Sequence, residues 1–243
     1  MSISSIYDHM ELASKDIPID QNMKIIMRHS IRHPIDSVEN QSEVELTNEG
    51  KALAMHFGRS INRTIGFLGS SDARRCIQTL DCISKGANAQ SEINIMNHQL
   101  RDPHALDGRV CEESFKKLPV ESIFYRLKNG IRLPGFRTLI ESVKIMLDGI
   151  FSYGNRENTL DLFCTHDFQI ALLASDLFDF GEPIDDRTGS EWPMMLEGII
   201  FTGNRNCFKA YWRNNTKIME NYLWAPLKIV FKRRNLPSSV SLQ

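Results

Sequence analysis

The segment Arg28-His29-Ser30-Ile31-Arg32-His33-Pro34, the pair Arg74-Arg75 and the pair His166-Asp167 each stand just behind a short apolar run. Guanidinium forks bind anionic oxygens in bidentate fashion, so arginines converging with imidazoles fit a phosphoryl group better than any other common ligand. His29 directly follows its apolar run, where a rigid backbone can hold a neutral ring nitrogen for attack on phosphorus. Arg28 and Arg32 flank it, and Arg75 on the next crossover supplies a third positive charge for the oxygens of a phosphoryl group in transfer. His166 is expected to add a fourth donor. Asp167, beside it, is placed to protonate a departing alkoxide and then to deprotonate the water that resolves a phosphohistidine.

The elements that carry these groups can be read from hydropathy. Apolar runs at 23–27, 65–68, 159–164, 198–201 and 207–212 read as strands, the last two joined by a hairpin connection over 202–206. Between them lie helical patterns. Thr47 is placed to cap a helix running to about Arg63, with Leu53, Phe57 and Ile61 on one face and Glu49 in its first turn. Ser71 or Asp72 is expected to cap a second helix through Ile77, Leu80 and Ile83, stopped by Gly86. Two more run over 138–151 and 168–178. Strands alternating with helices predict a three-layer α/β/α sandwich around a mostly parallel sheet, finished by an antiparallel edge hairpin. In such sheets ligands bind beyond the carboxyl ends of the strands, which is where the arginines and histidines fall. The stretch of about 87–134 breaks the rhythm and reads as an inserted, irregular cap within a single domain spanning 1–243.

Composition narrows the classes. The 29 basic and 30 acidic residues leave a net charge of -1, so no global field argues for nucleic acid or a membrane, and an anion site has to be built locally. No run of 18 apolar residues occurs, and the first 18 residues lack the pattern of a secretion signal. The five cysteines show no CxxC pair and no zinc-finger spacing, which suits a reducing, cytoplasmic setting. The seven histidines form no HExxH helix, and a histidine nucleophile among arginines needs neither metal nor cofactor. Walker, dinucleotide-binding, zincin and nucleophile-elbow motifs are missing from the sequence. The tail, with Trp224, a basic Lys-Arg-Arg run and the polar end Ser-Ser-Val-Ser-Leu-Gln, reads as a solvated terminus.

The same residues resemble the histidine phosphatase superfamily. RHSIRHP is similar to that family's RHG-x-R-x-P signature, LTNEG at 46–50 to its LTxxG element, and SSDARRCIQTL to its SS-x-x-x-R-C-x-Q-T-A segment, whose arginine aligns with Arg75. THD at 165–167 resembles the HD motif of the acid phosphatase branch, in which the aspartate is the proton donor; the phosphoglycerate mutase-like branch takes a glutamate from its insertion instead. The matches run in order from Met23 to about Ala174. The resemblance implies a phosphoglycerate mutase-like fold and a phosphohistidine on His29. Ser30 stands where the signature has Gly and is expected to add a hydroxyl to the phosphate pocket.

Competing readings attach to several positions. Asp167 also suits a plain helix cap, in which case Asp102, Glu112 or Glu113 of the insert would supply the acid. Arg75 could be a surface residue paired with Asp72 or Asp81, as Arg74 is expected to be. His33 would widen the anion site or face solvent. Arg101 and His104 are placed to read substrate from the insert. Glu197 would face the pocket or merely solvate the start of its strand, and the tryptophans would pack. The substrate expected is a small phosphomonoester, with no nucleic acid or membrane partner and an unreadable oligomeric state. A phosphomutase of the same fold and a non-catalytic phospho-ligand-binding protein are the two rivals.

Overall fold

A computed structural model describes residues 21–35, 40–154, 156–181 and 192–222. The N-terminal stretch, Trp224 and the basic and polar tail lie outside the described residues.

Seven strands form one sheet. In chain order the elements are β1 (Met23–Arg28), α1 (Asn48–Ser60), β2 (Thr64–Ser70), α2 (Arg74–Gly86), β3 (Ile93–Ile95), α3 (Asn97–Leu100), α4 (Gly108–Lys117), α5 (Val120–Lys128), α6 (Leu139–Ser152), β4 (Thr159–Thr165), α7 (Asp167–Phe178), β5 (Gly198–Gly203), β6 (Cys207–Trp212) and β7 (Asn215–Glu220). The sheet order is β3-β2-β4-β1-β5-β6-β7. The first four of these run parallel, and β5, β6 and β7 follow β1 as an antiparallel meander.

β1 and β4 are buried along almost their whole length because helices cover both faces, which explains their largely apolar runs, interrupted only by Lys24 and Asp161, which pair with each other. Met23, Ile25 and Met27 pack with α1, α2, Leu160, Leu162 and Cys164 on one face. Ile26 and Phe163 turn the other way, onto α5, α6 and α7. This is the expected sandwich. It also contains a switch point: β1 leads into α1 on one face, while its parallel neighbour β4 leads into α7 on the other, so the chain diverges above their carboxyl ends.

Thr47 caps α1 as expected, its hydroxyl accepting from the Gly50 amide, but the helix ends at Ser60 because Ile61 is already extended, with ψ 119°. Thr138 forms a capping box with Glu141 on α6. α7 is stopped by Asp179 in the left-handed region, φ 57°, rather than by Gly181. The start of α2 departs from expectation. Its cap is Ala73, with no side-chain bond, because Ser71 and Asp72 make contacts at the site instead.

Two strands went unpredicted, β3 and β7. β3 is three residues long, and β7 is an edge strand whose side chains are mostly exposed, so neither offers an apolar alternation. The 87–134 stretch is not irregular: it adds β3 to the sheet and then folds into α3, α4 and α5. Leu100, Cys111, Ile123, Phe124 and Leu127 from it join the core on the α7 face. α4 buries only Cys111, which is why its sequence reads as polar.

Candidate active site

The pairing of β1 with β4 sets Arg28 opposite Thr165, so His29 and His166 leave adjacent parallel strands at the same level. The His29 amide continues the ladder to the Thr165 carbonyl at 3.0 Å, and the two imidazoles meet edge to face with centroids 5.6 Å apart. Ser70 pairs with Cys164 on the other side of β4, which brings Ser71 and the start of α2 to the same edge.

His29 is buried, at 3% exposure. Its Nδ1 lies 2.8 Å from the Ser30 carbonyl, which can only accept, so Nδ1 carries the hydrogen and Nε2 keeps its lone pair. Burial lowers its pKa well below the ordinary 6.5, and the neighbouring His166, Arg75 and Arg28, which all disfavour a positive charge on the ring, add to that, outweighing the Ser30 bond. The ring is therefore a neutral base at neutral pH.

Three guanidiniums converge around it. Arg28 reaches the Asp167 carboxylate at 2.9 Å and the Pro193 carbonyl at 2.5 Å. Arg75, buried in the first turn of α2, donates to His166 Nδ1 at 3.1 Å and to the Gln41 carbonyl at 2.5 Å. Each has five N–H groups, and the buried Nε–H of both has no partner among the described residues. Arg32 donates to the His33 carbonyl at 2.9 Å, and burial together with the charges of Arg75 and Arg28 lowers its pKa. Such crowding of cations favours an anion among them.

His166 accepts from Arg75 through Nδ1, so its Nε2 carries the hydrogen and donates to Ser71 Oγ at 3.0 Å. Both ring nitrogens are thus committed to the protein. His166 orients Arg75 here and is not a free fourth donor. Cys76 Sγ sits below it, 3.9 Å from Nδ1.

Asp167 is the first residue of α7, whose N-cap position is His166 with no side-chain cap bond; its Oδ1 accepts from the Phe168 amide at 2.9 Å while Oδ2 pairs with Arg28. Burial raises its pKa, but Arg28, His166, a hydrogen bond from Trp192 and the Phe168 amide outweigh burial and hold it below the ordinary carboxylate range. Of the rival acids, Glu112 and Glu113 lie on the exposed side of α4, paired with Lys116. Asp102 is closer to the site: burial raises its pKa, and His166 and Arg101 lie within its electrostatic reach.

Several residues take other roles than those expected. Ser30 is fully buried, but its hydroxyl donates to the Gly50 carbonyl at 2.8 Å, away from the guanidiniums, because the loop after β1 is strapped to the start of α1. Thr47 completes that strap by donating its amide to the Ile31 carbonyl at 3.0 Å. Arg101 is tied to Asp72 and, at 2.9 Å, to Ser42 Oγ. His104 is closed in by Phe115, Phe136 and Phe168 and does not read substrate from the insert. Glu197, 2% exposed, neither faces the pocket nor meets solvent; it pairs with Arg213 at 2.7 Å. His33 is exposed at the rim, where its carbonyl serves Arg32. Arg74 pairs with Glu45 on the surface, as a helix-face residue.

No motif or periodicity marks Trp192 or Arg213 as a neighbour of the site. Ser71 was visible, inside SSDARR, but as a helix cap.

No family model matches the chain, and no curated protein matches it in sequence. Solved structures do. YhfR from Bacillus stearothermophilus superimposes with a TM-score of 0.53 at 15% identity, covering 83% of this chain and 99% of that one. Mycobacterial hydrolase 2 gives 0.53 at 13% identity, with 84% and 96% covered. The mycobacterial glucosyl-3-phosphoglycerate phosphatase Rv2419c, in its complex with VO3, gives 0.51 at 14% identity, with 79% and 99% covered. The chain shares their fold, which is the phosphoglycerate mutase-like α/β sandwich.

Proposed function

We propose that this chain is a histidine phosphatase that hydrolyses small phosphomonoesters through a phosphohistidine on His29. One observation carries the reading: His29 is buried, its Nδ1–H is committed to Ser30 so that Nε2 keeps its lone pair, and the ring stands beside His166 within electrostatic reach of Arg28 and Arg75.

In the first step the Nε2 lone pair forms a bond to phosphorus as the phosphorus–oxygen ester bond breaks. Arg28, Arg32 and Arg75 neutralise the phosphoryl oxygens, and the departing alkoxide takes a proton from Asp167. In the second step the Asp167 carboxylate accepts a proton from water, the water oxygen bonds to phosphorus, and the phosphorus–nitrogen bond returns its electrons to Nε2. Inorganic phosphate leaves. A dianionic substrate competes with Asp167 for Arg28 and so raises the carboxyl toward protonation for the first step. These residues carry out both steps without a cofactor. Among the described residues no helix is long and apolar enough to cross a membrane, and all five cysteines are unpaired, which supports a reducing, cytoplasmic setting.

The test is rapid-quench trapping with a labelled phosphomonoester. An acid-labile phosphoenzyme mapping to His29 is expected, lost in His29→Ala; label on any other residue overturns the reading. A wild type that isomerises the substrate and releases little phosphate identifies the mutase, and one inactive across a broad ester panel identifies a binding protein.

A further inference from the structure

Residues 192–197 lie outside every sequence motif of the site, yet they grip Arg28 at both ends. The Arg28 amide donates to the Glu197 carbonyl at 2.9 Å, and its guanidinium donates to the Pro193 carbonyl at 2.5 Å. The Leu196 amide reaches back to the His29 carbonyl at 3.4 Å. Leu196 has φ 59°, a left-handed conformation that a leucine rarely adopts and that persists only where its surroundings impose it.

What imposes it is the Glu197 side chain. One oxygen accepts from the Met194 amide at 2.7 Å, closing the turn on itself, and both face the Arg213 guanidinium, at 2.7 and 3.3 Å. Arg213 comes from the turn after β6 and lies over the Trp212 ring, 4.4 Å from its centroid. At the other end of the turn Trp192 packs edge-on to Phe124, with centroids 5.5 Å apart, and hydrogen-bonds the Asp167 carboxylate. The contacts therefore run from Arg213 through Glu197 and the strained turn to Arg28 and Trp192, which meet on Asp167.

A buried ion pair is a weak source of stability, because desolvation of the two charges cancels most of their attraction. What it does provide is a fixed, forked geometry. We propose that the Glu197–Arg213 ion pair is a positioning device for proton transfer: it locks residues 192–197 in one conformation, and that conformation sets where Arg28, and through it Asp167, stands beside His29. Neither Glu197 nor Arg213 touches the reacting atoms. The inference rests on the reading of Asp167 as the proton donor.

The double variant Glu197→Gln/Arg213→Gln removes both charges together and leaves no orphan behind. It is compared with the wild type on glycerol 2-phosphate, whose alkoxide leaving group needs a proton, and on p-nitrophenyl phosphate, whose phenolate does not. The expected result is a loss of about tenfold in kcat/KM on the first ester and less than about twofold on the second, since kcat/KM reports the steps up to departure of the leaving group, and general-acid assistance matters there only where the leaving group is basic. Equal losses on both esters, or none on either, overturn the proposal. Arg213→Lys, which keeps the charge and loses the fork, covers the case in which the double variant does not fold, and it is expected to show the same ester preference at smaller size. A wild type inactive on both esters fails the functional reading instead. The positioning claim then stands or falls on the Asp167 carboxyl titration followed by carbon-13 NMR: its midpoint moves up in the variant if Arg28 has been released, and an unchanged midpoint overturns the claim.

Discussion

Arg28 and Asp167 form an ion pair at 2.9 Å that joins the residue before His29 to the residue after His166. The pair keeps Asp167 ionised at rest, the form needed to activate water, while the first step needs the acid form. kcat/KM on an alkyl phosphate is therefore expected to rise as the pH falls, until His29 protonates well below 6.5. Asp167→Asn should lower kcat/KM on glycerol 2-phosphate by about 100-fold or more, the usual range for loss of a general acid, with a much smaller effect on kcat/KM for p-nitrophenyl phosphate. Asp102→Asn should stay within about twofold on both, as a residue outside the proton path. The reverse ranking of the two variants would move the acid to Asp102.

The Ser30 hydroxyl bonds the Gly50 carbonyl and not the phosphate pocket, so Ser30→Gly should cost about 1 kcal/mol in urea unfolding, the value of one hydrogen bond, and leave KM unchanged. Gly50→Ala is the harsher change. A Cβ there collides with the Ile31 carbonyl oxygen, a backbone atom with no room to retreat. About 3 kcal/mol of stability or more is expected to go, together with a raised KM as the loop carrying Arg32 shifts. A Gly50→Ala protein with normal stability would contradict the packing of that loop on α1.

How much of this was legible in the sequence depended on whether a residue's role is local. β1, β2 and β4 were readable because strands covered on both faces are mostly apolar, and Arg28, His29 and His166 were readable because they stand at or just beyond the ends of those strands. Arg75 was separable from Arg74 only by the resemblance to a known motif; in the fold one side chain is buried and the other exposed, a difference set by helix phase. Ser30, His104 and Glu197 were misread for a common reason. Each is a polar residue whose partner, Gly50, the Phe115–Phe136–Phe168 box or Arg213, comes from an element that hydropathy cannot place beside it. Trp192 was missed for the same reason, since nothing local marks an indole as a donor to a carboxylate 25 positions earlier in the chain.

Lys24 and Asp161 face each other across β1 and β4 with 2.7 Å between Nζ and Oδ2, both essentially buried, at the end of the strands away from His29. Breaking the pair strands a charge in the core. Lys24→Gln and Asp161→Asn are each expected to cost about 3–5 kcal/mol, whereas the double variant Lys24→Gln/Asp161→Asn, which neutralises both, should cost well under their sum. Denaturant unfolding of the single and double variants measures the coupling, and simple additivity would mean the two side chains do not interact. Activity per folded molecule should not change in any of the three.

His104 is 5% exposed among Phe115, Phe136 and Phe168, and burial, with His166 and Arg137 adding their charges, lowers its pKa to about 3. The sign of the consequence follows from where the proton goes. Between pH 6.5 and about 3 the unfolded chain binds a proton that the folded protein refuses, so stability falls as the pH drops through that window. From pH 7 to pH 5 the loss from this one group is about 2 kcal/mol. His29, lowered in the same direction, adds to it. In His104→Phe the ring is kept and the titration is gone, so urea unfolding should show a pH 7 to pH 5 loss smaller than in the wild type by about 2 kcal/mol, with KM unchanged because His104 does not meet the substrate. A variant with the wild-type pH slope would show that the ring is not held neutral. Acidification thus acts in two opposed directions on this molecule: it supplies the proton that Asp167 must donate, and it loads the unfolded chain with protons that His29 and His104 cannot accept in the fold. Removing the His104 titration is accordingly expected to extend the working range of the enzyme toward acid without altering its rate at neutral pH.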